Sequence, residues 1–358
     1  MSRDSLALSR NERAPLLFHH YPSLATTIPW TPLGDFATPV SRLSSFEKTL
    51  GVKGLWLKRD DLSGKLYGGN KVRTLEFVLA QAKEQQARVV ASYSALGSNW
   101  PLACTIYARQ QGFESEVFFL PYPMDDIKKK NLEMTRQLAA HIYCARSLFT
   151  FPFLLWAKLA SARRQTRVFL TPPGGTSPTT ALAFVNAILE LKQQCDQEEL
   201  PVPDVIVCPL GSGGTAAGLS VGLNLIGWPT TLIAVRVVNQ VVANAFTLGR
   251  LVRRTTKLLQ QHGIALSPKQ NYRIEHDYFG KGYGKPLPLA QKHARSMEEQ
   301  EGIALDATYT SKAFAALVEL AKRSRFRQKK ILFWHTLNSR PLALGHMPPP
   351  LSTVKREK

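Results

Sequence analysis

The sequence predicts an α/β protein with open, twisted, mainly parallel sheets covered by helices. Short apolar runs rich in β-branched residues alternate with helical patterns along the chain, which is typical of parallel sheets. The length of 358 residues exceeds what one hydrophobic core usually supports, so two domains are expected. Seven runs are predicted as strands: 55–58, 88–92, 116–120, 167–170, 205–208, 231–238 and 331–334.

Helical patterns lie between most of these strands, and one helix start is clearly marked. Ser177 and Pro178 predict it, because serine is a good N-cap and proline is favoured at the first helical position. Leu182, Val185 and Leu189 follow at helical spacing. The segment is therefore expected to form one of the covering helices.

A glycine-rich segment follows the predicted strand 205–208 and reads Gly211-Ser212-Gly213-Gly214-Thr215-Ala216-Ala217-Gly218. Strand, glycine turn and helix start together bind phosphate well, because backbone N–H groups approach the anion closely and the helix dipole favours it. The segment lacks the lysine of a nucleotide P-loop and does not fit G-x-G-x-x-G. The phosphate of a cofactor is one interpretation, and a tight turn without a ligand is the other.

A second segment, Gly68-Gly69-Asn70-Lys71, lies between a predicted strand and a predicted helix. Positive charge is disfavoured near a helix N-terminus, and an amine destabilised as the cation is a better nucleophile. A solvated lysine in a turn is the simpler alternative. Combined with the glycine loop, Lys71 indicates an imine with an aldehyde whose phosphate lies in that loop. Pyridoxal phosphate carries both groups.

The chain is strongly basic, with a formal net charge of +20. Such charge favours association with polyanions. However, the basic clusters are dispersed and are not interleaved with aromatic residues as in a nucleic-acid-binding module, so a solvated basic surface and no specific nucleic-acid partner are predicted. A peripheral polyanion-binding protein remains an alternative. The clusters are 128–130, 163–164, 253–254, 322–323 and 325–330.

Cysteine usage and the chain's apolar segments bear on the cellular compartment. The four cysteines are scattered, without a Cys-x-x-Cys pair or a metal-type His cluster, which predicts a reducing cytoplasm and no zinc site. Residues 1–13 lack the apolar core of a secretory signal. The segment 149–160 is too short to span a bilayer, so a buried helix is predicted there, with an amphipathic surface anchor as the alternative.

Seven motifs together point to a known family. The chain resembles fold-type II pyridoxal-phosphate enzymes of the D-cysteine desulfhydrase / 1-aminocyclopropane-1-carboxylate deaminase family over roughly residues 30–340. The motifs occur in the family's order and with similar gaps, which makes the resemblance specific. They lie at 57–61, 68–77, 97–99, 174–177, 211–218, 277–284 and 305–313.

The resemblance implies a tryptophan synthase β-like fold with two sheets. A large pyridoxal-phosphate-binding domain would comprise residues 1–73 and 176–358. A small α/β domain, residues 74–175, would be inserted into it, with the cofactor in the cleft between the two. The resemblance also implies a homodimer and a small amino-acid substrate.

The resemblance assigns the cofactor-binding residues one by one. Lys71 matches the Schiff-base lysine, and Asn99 matches the residue that hydrogen-bonds the cofactor's 3′-oxygen. The phosphate cradle is matched by Gly211, Ser212, Gly213, Gly214 and Thr215.

The resemblance also assigns catalytic residues beside Lys71. Ser98 matches the serine near the substrate carboxylate. Tyr283 and Tyr309 match tyrosines on the substrate face, where a phenol orients the substrate or relays a proton. For either tyrosine alone, core packing with a satisfied hydroxyl is the alternative.

Thr310 favours one reaction within the family. In the cyclopropane deaminases, the residue after the second tyrosine is a glutamate that keeps the pyridine nitrogen protonated. A threonine, as in the desulfhydrases, implies a cofactor contact in which the Thr310 hydroxyl hydrogen-bonds an unprotonated nitrogen. It cannot balance a pyridinium charge and so implies a weaker electron sink. The resemblance therefore favours α,β-elimination from an amino acid such as D-cysteine, with 1-aminocyclopropane-1-carboxylate deamination as the alternative.

Several positions depart from the family pattern. Trp100-Pro101-Leu102-Ala103 follows Ser98-Asn99 in place of the usual polar residues, and Thr74 replaces a lysine. Leu337 and Asn338 replace two glycines where the backbone approaches the cofactor. These departures indicate either a shifted substrate or a catalytically impaired protein that still binds pyridoxal phosphate or another ligand.

Overall fold

The computed structural model describes residues 13–124 and 126–339. The sequence predicts a loose tail over residues 347–358, which are rich in proline and then charged. This segment and most of the N-terminal segment 1–13 lie outside the described range. In chain order the elements are α1 (Leu16–His20), α2 (Pro22–Thr27), β1 (Val40–Arg42), α3 (Ser44–Leu50), β2 (Gly54–Lys58), α4 (Lys71–Glu84), β3 (Val89–Ala95), α5 (Asn99–Gln110), β4 (Glu114–Leu120), α6 (Asp126–Leu138), β5 (His141–Cys144), α7 (Phe151–Gln165), β6 (Val168–Leu170), α8 (Pro178–Asp196), β7 (Val205–Leu210), α9 (Gly214–Leu225), β8 (Thr231–Arg236), α10 (Ala245–Gln261), β9 (Tyr272–Glu275), α11 (Pro288–Glu301), α12 (Thr310–Ala321) and β10 (Lys330–Trp334).

The strands form two separate sheets. A six-stranded sheet has the order β1-β2-β10-β7-β8-β9, and only the β1–β2 pair is antiparallel. A four-stranded sheet has the order β5-β4-β3-β6 and is parallel throughout. The fold is therefore the predicted α/β type with open, mainly parallel sheets.

The six-stranded sheet is covered on both faces. Along β10, Ile331 and Phe333 pack into one apolar cluster, whereas Leu332 and Trp334 pack into another. Successive side chains of a strand point to opposite faces, so each face has its own core. Helices α8, α9 and α10 contribute to one core, and α12 contributes to the other.

All seven predicted strands are present, but three short strands were missed. β1 and β9 form the edges of the six-stranded sheet, and β5 is an edge of the four-stranded sheet. None of their residues is fully buried, so they lack the continuous apolar run that marks a central parallel strand.

The predicted helix start at Ser177 is confirmed. The Ser177 side chain accepts a hydrogen bond from the Thr180 backbone N–H, and the Thr180 hydroxyl bonds back to the Ser177 N–H. Pro178 is the first residue of α8. The paired capping bonds satisfy two donors that a helix start leaves unpaired.

The prediction of a buried helix over residues 149–160 is wrong. Only Phe151 and Leu159 are buried on α7, whereas Phe153 and Trp156 are 75% and 73% exposed. Apolar composition predicted burial, but α7 contacts the small sheet along one narrow strip. Within residues 13–124 and 126–339, no helix is long and apolar enough to cross a lipid bilayer.

The predicted solvated basic surface needs one correction. Lys128 is 5% exposed, although its neighbours Lys129 and Lys130 are exposed as predicted. Lys128 lies on α6 with its ammonium 5.7 Å from the centre of the Tyr283 ring. Its position in a run of three lysines concealed this contact with a distant loop.

Candidate active site

A cavity of about 310 Å³ lies where strands of both sheets end. Its walls include residues that follow β3 in the four-stranded sheet and residues that follow β7 and β10 in the six-stranded sheet. Ligands of open α/β proteins bind at the carboxyl ends of parallel strands, because loops converge there. The cavity is therefore the first candidate for an active site.

Lys71 lines this cavity as the first residue of α4. Burial lowers the pKa of its amine from 10.5 to about 8. The ammonium lies 5.9 Å from the centre of the Trp100 ring, and no carboxylate is among the causes of the pKa shift. At neutral pH such a lysine has a much larger neutral fraction than an ordinary lysine, which suits a nucleophile.

The glycine-rich segment forms the start of α9 and lines the same cavity. Gly213 is the N-cap residue with φ of +93°, a left-handed conformation that glycine adopts without strain. No side chain caps the helix, so its first backbone N–H groups remain available to an anion. We call residues 211–215 the cradle; Gly211, Ser212, Gly213, Gly214 and Thr215 all line the cavity.

Side-chain bonds join the cradle to neighbouring loops. The Asn70 amide donates to the Thr215 hydroxyl at 2.9 Å, and the Ser212 and Thr176 hydroxyls are 2.6 Å apart. Asn70 immediately precedes Lys71, so the Asn70–Thr215 bond holds the lysine loop against the cradle. Their adjacency in the cavity matches the pairing inferred from two separate motifs.

The Asn338 departure contributes to the lysine loop. Its side-chain oxygen accepts a hydrogen bond from the Gly68 N–H at 2.7 Å. The Asn70 N–H is held by the Thr336 carbonyl at 3.1 Å. Asn338 thus fixes the start of the lysine loop, while Thr336 holds the residue next to Lys71. Leu337 also lines the cavity.

Side chains from three distant segments form a second group, which we call the substrate-side cluster: Ser98, Tyr283 and Tyr309. The two tyrosine hydroxyls are 2.5 Å apart. Burial raises the pKa of Tyr309 well above 10, so its phenol stays protonated at neutral pH. A small recess lined by all three residues, together with Asn99, opens beside the main cavity.

The remaining polar contacts of this cluster set its orientation. The Ser98 hydroxyl donates to Ser94 at 2.7 Å. The Asn99 oxygen accepts from the Asn131 amide at 2.7 Å, so the Asn99 nitrogen is the part of this side chain that can donate to a ligand. Lys312 donates to the Phe279 and Gly282 carbonyls at 2.8 and 3.2 Å and so anchors the loop that carries Tyr283.

Trp100 forms a close-packed wall of the cavity. It is 3% exposed, and its indole nitrogen has no hydrogen-bond partner among the described residues. A Cβ at Gly175 would lie 2.4 Å from the Trp100 ring and 2.7 Å from the Thr74 methyl group. Gly175 therefore makes room for both residues that depart from the family pattern.

Thr310 is not among the residues that line the cavity. It is fully buried, and its hydroxyl donates to Asp306 at 2.7 Å. Asp306 lines the cavity instead. Sequence reasoning missed both Asp306 and Lys128, although Asp306 lies inside a matching motif. The contact of Thr310 with a cofactor stays a prediction.

The residues present suit pyridoxal phosphate. An anion can bind at the uncapped start of α9, and a half-buried lysine with a lowered pKa stands beside it. A phosphorylated aldehyde needs an anion site and an amine within one molecule's length.

Comparisons with known proteins agree with this geometry. A family model described as "Pyridoxal-phosphate dependent enzyme" matches residues 32–336. "Putative 1-aminocyclopropane-1-carboxylate deaminase" from Thermotoga maritima is 29% identical over 303 residues, covering 84% of this chain and 93% of the relative. D-cysteine desulfhydrase from Serratia proteamaculans is 31% identical over 307 residues, covering 84% and 91%.

A solved structure described as an ACC deaminase homologue superposes with a TM-score of 0.77 at 28% identity, covering 91% of this chain and 95% of that one. The matches span both sheets and every cavity motif. The predicted fold type and cofactor are therefore confirmed. The chain belongs to the pyridoxal-phosphate-dependent enzymes, in the group that includes 1-aminocyclopropane-1-carboxylate deaminases and D-cysteine desulfhydrases.

Proposed function

We propose that this enzyme catalyses α,β-elimination from a small amino acid, with D-cysteine as the foremost substrate. One D-cysteine and one water give pyruvate, ammonia and hydrogen sulfide. The carbon–sulfur bond breaks, the α-proton leaves the carbon, and water replaces the nitrogen.

The hydrogen bonds of Asp306 are the observation that favours elimination over deamination of 1-aminocyclopropane-1-carboxylate. Asp306 is the only carboxylate among the described residues that line the cavity. One of its oxygens accepts from the Thr308 and Tyr309 N–H groups, and the other accepts from the Thr310 N–H and hydroxyl. A carboxylate so occupied at the start of α12 is a poor partner for a pyridinium, which supports elimination over a reaction that needs a strong electron sink.

Pyridoxal phosphate, when bound, supplies a conjugated ring that accepts the electron pair left on the substrate's α-carbon. The cradle and the start of α9 would hold its phosphate, Asn99 its ring oxygen and Lys71 its aldehyde carbon. The lowered pKa of Lys71 would suit its Nζ to take up the α-proton of the substrate as a general base.

The substrate-side cluster would bind the substrate carboxylate and protonate the leaving thiolate. The Ser98 hydroxyl and backbone N–H would bind the substrate carboxylate. The bonded phenols of Tyr283 and Tyr309 can pass a proton to a leaving thiolate, because both hydroxyls donate and accept.

The predicted domain bounds, homodimer and cytoplasmic location remain part of this proposal.

The test is a product assay on the purified holoenzyme. It is incubated separately with D-cysteine, L-cysteine and 1-aminocyclopropane-1-carboxylate, and pyruvate, sulfide and 2-oxobutyrate are quantified. Equal amounts of pyruvate and sulfide from D-cysteine are expected, with little 2-oxobutyrate. The visible spectrum is recorded before and after each addition.

Two results would contradict the proposal in different ways. 2-Oxobutyrate as the main product would assign the deaminase reaction. A spectral shift with every substrate but no product would indicate a protein that binds ligands without turnover.

A further inference from the structure

An exposed apolar surface lies on α7 and on the loop before it. Leu148, Phe149, Phe153 and Trp156 are 54%, 88%, 75% and 73% exposed. Large aromatic side chains in one exposed group are unusual on a protein surface and mark an interaction site. We call these four residues the α7 surface.

The α7 surface is separate from the side of the helix that packs on the protein. Phe151 and Leu159 are buried with Phe118 of β4 and Ala91 of β3. Phe153 and Trp156, three positions apart, share a different side of the helix. The helix is thus held firmly to the sheet, and its aromatic side remains uncovered.

The segment that carries the α7 surface has charge of one sign. The sequence contains no Asp or Glu between Glu133 and Glu190. Within that interval, Arg146 in the loop before α7 and Arg163 and Arg164 in the last turn of the helix are exposed. A second copy of this chain docked face to face would bring these cations together, whereas an anionic partner would be attracted.

We propose that the α7 surface docks on an anionic lipid bilayer. Phe149, Phe153 and Trp156 would enter the interfacial region, where aromatic rings bind favourably. Arg163 and Arg164, at the end of the helix, would contact the anionic headgroups. The helix lies on the membrane and does not cross it, and the net charge of +20 adds a long-range attraction.

Vesicle co-sedimentation of the full-length holoenzyme tests this at physiological salt. One set of vesicles contains phosphatidylcholine alone, and the other contains phosphatidylcholine with phosphatidylglycerol. We expect binding to the anionic set and at least a roughly tenfold weaker partition for the double variant F153S/W156S, since each exposed aromatic contributes more than about 1 kcal/mol on insertion. Binding should also shift the tryptophan emission to the blue, and W156F should lose most of that shift.

A matched control removes apolar side chains elsewhere. Val241 and Phe246 are 87% and 69% exposed, so V241S/F246S lowers surface hydrophobicity without touching α7. This variant should bind the anionic vesicles as the parent does. Circular dichroism and thermal unfolding of both variants show whether either has lost its fold.

The proposal is overturned if folded F153S/W156S binds anionic vesicles as well as the parent, or if neutral and anionic vesicles bind alike. It is also overturned if vesicles do not bind while this variant converts a dimer into a monomer, because the surface would then join two copies. Binding to a polynucleotide without binding to vesicles would overturn it as well.

Discussion

The cradle and the substrate-side cluster meet in one cavity but are built in different ways. The cradle is one continuous segment, and its binding groups are backbone N–H groups at the start of α9. The substrate-side cluster joins side chains from three distant segments, Ser98, Tyr283 and Tyr309. Local sequence is sufficient to specify the cradle, whereas the cluster exists only once both sheets are in place.

The largest expected effect concerns Lys71, which both regions need. K71A should lower kcat for D-cysteine by on the order of 10³-fold or more, because the group that moves the α-proton is gone. It should also abolish the absorbance band that pyridoxal phosphate gives with the parent protein. Pyruvate formed in quenched assays measures the effect on kcat, and visible spectra measure the loss of the absorbance band.

Exposed Lys65, six residues earlier, provides the control for K71A. K65A should retain the activity and the band. If K71A kept more than a tenth of the parent activity, Lys71 would not be the residue that carries the reaction.

The cradle was predicted from a local sequence pattern, whereas the three residues of the substrate-side cluster were assigned only through the family resemblance. Residues 211–215 and Lys71 were identified from local patterns, and they line the same cavity. Lys128 was missed because its contact with Tyr283 depends on how α6 packs against a loop more than 150 positions away. Tertiary contacts between distant segments leave no local periodicity from which to predict them.

The fold shows the same division between local and tertiary information. Central strands such as β7 were predicted from continuous apolar runs, because both faces are buried. Edge strands such as β9 were missed, and α7 was wrongly assigned to the interior. In both cases the sequence shows how hydrophobic a segment is, but the elements packed against that segment determine how much of it is buried.

The substrate-side cluster can be disrupted at its shared hydrogen bond. Y283F should lower kcat by about 100-fold, because the proton relay through the Tyr309 hydroxyl loses its partner. KM should change little, since the substrate carboxylate is expected at Ser98. If the phenols act as a unit, Y283F/Y309F should be hardly slower than either single variant.

Steady-state kinetics of these variants provide the measurement, and Y278F provides the control. Tyr278 lies in the same loop and is buried, but it does not line the cavity. Y278F should leave kcat within about twofold of the parent. Additive losses in the double variant would show that the two phenols act separately.

The lowered pKa of Lys71 predicts a pH dependence for cofactor capture by the apoprotein. Only the neutral amine attacks the aldehyde, so capture should rise roughly tenfold per pH unit up to about 8 and level off above it. An ordinary lysine, at 10.5, would still be gaining reactivity at pH 9. Stopped-flow absorbance between pH 7 and 9.5 distinguishes the two, and continued growth at the upper end would contradict the burial argument.

The smallest expected effect comes from a pair of glycine variants that separate the backbone geometry of the cradle from the overall stability of the protein. Gly213 has φ of +93°, and an alanine there has room for its Cβ but strains the backbone by about 1–2 kcal/mol. Gly227, just beyond the other end of α9, has φ of +70° with open space around it, so G227A carries a similar strain. Both variants should unfold at lower denaturant concentration by similar amounts.

Only G213A should weaken pyridoxal-phosphate binding, by about tenfold. The strained residue is the N-cap of α9, next to the backbone N–H groups that are proposed to bind the phosphate. Cofactor titration followed by absorbance measures this difference. If G227A weakened binding as much as G213A, general destabilisation would explain the loss. Backbone geometry at the start of α9 would then not be what distinguishes the cradle from the substrate-side cluster.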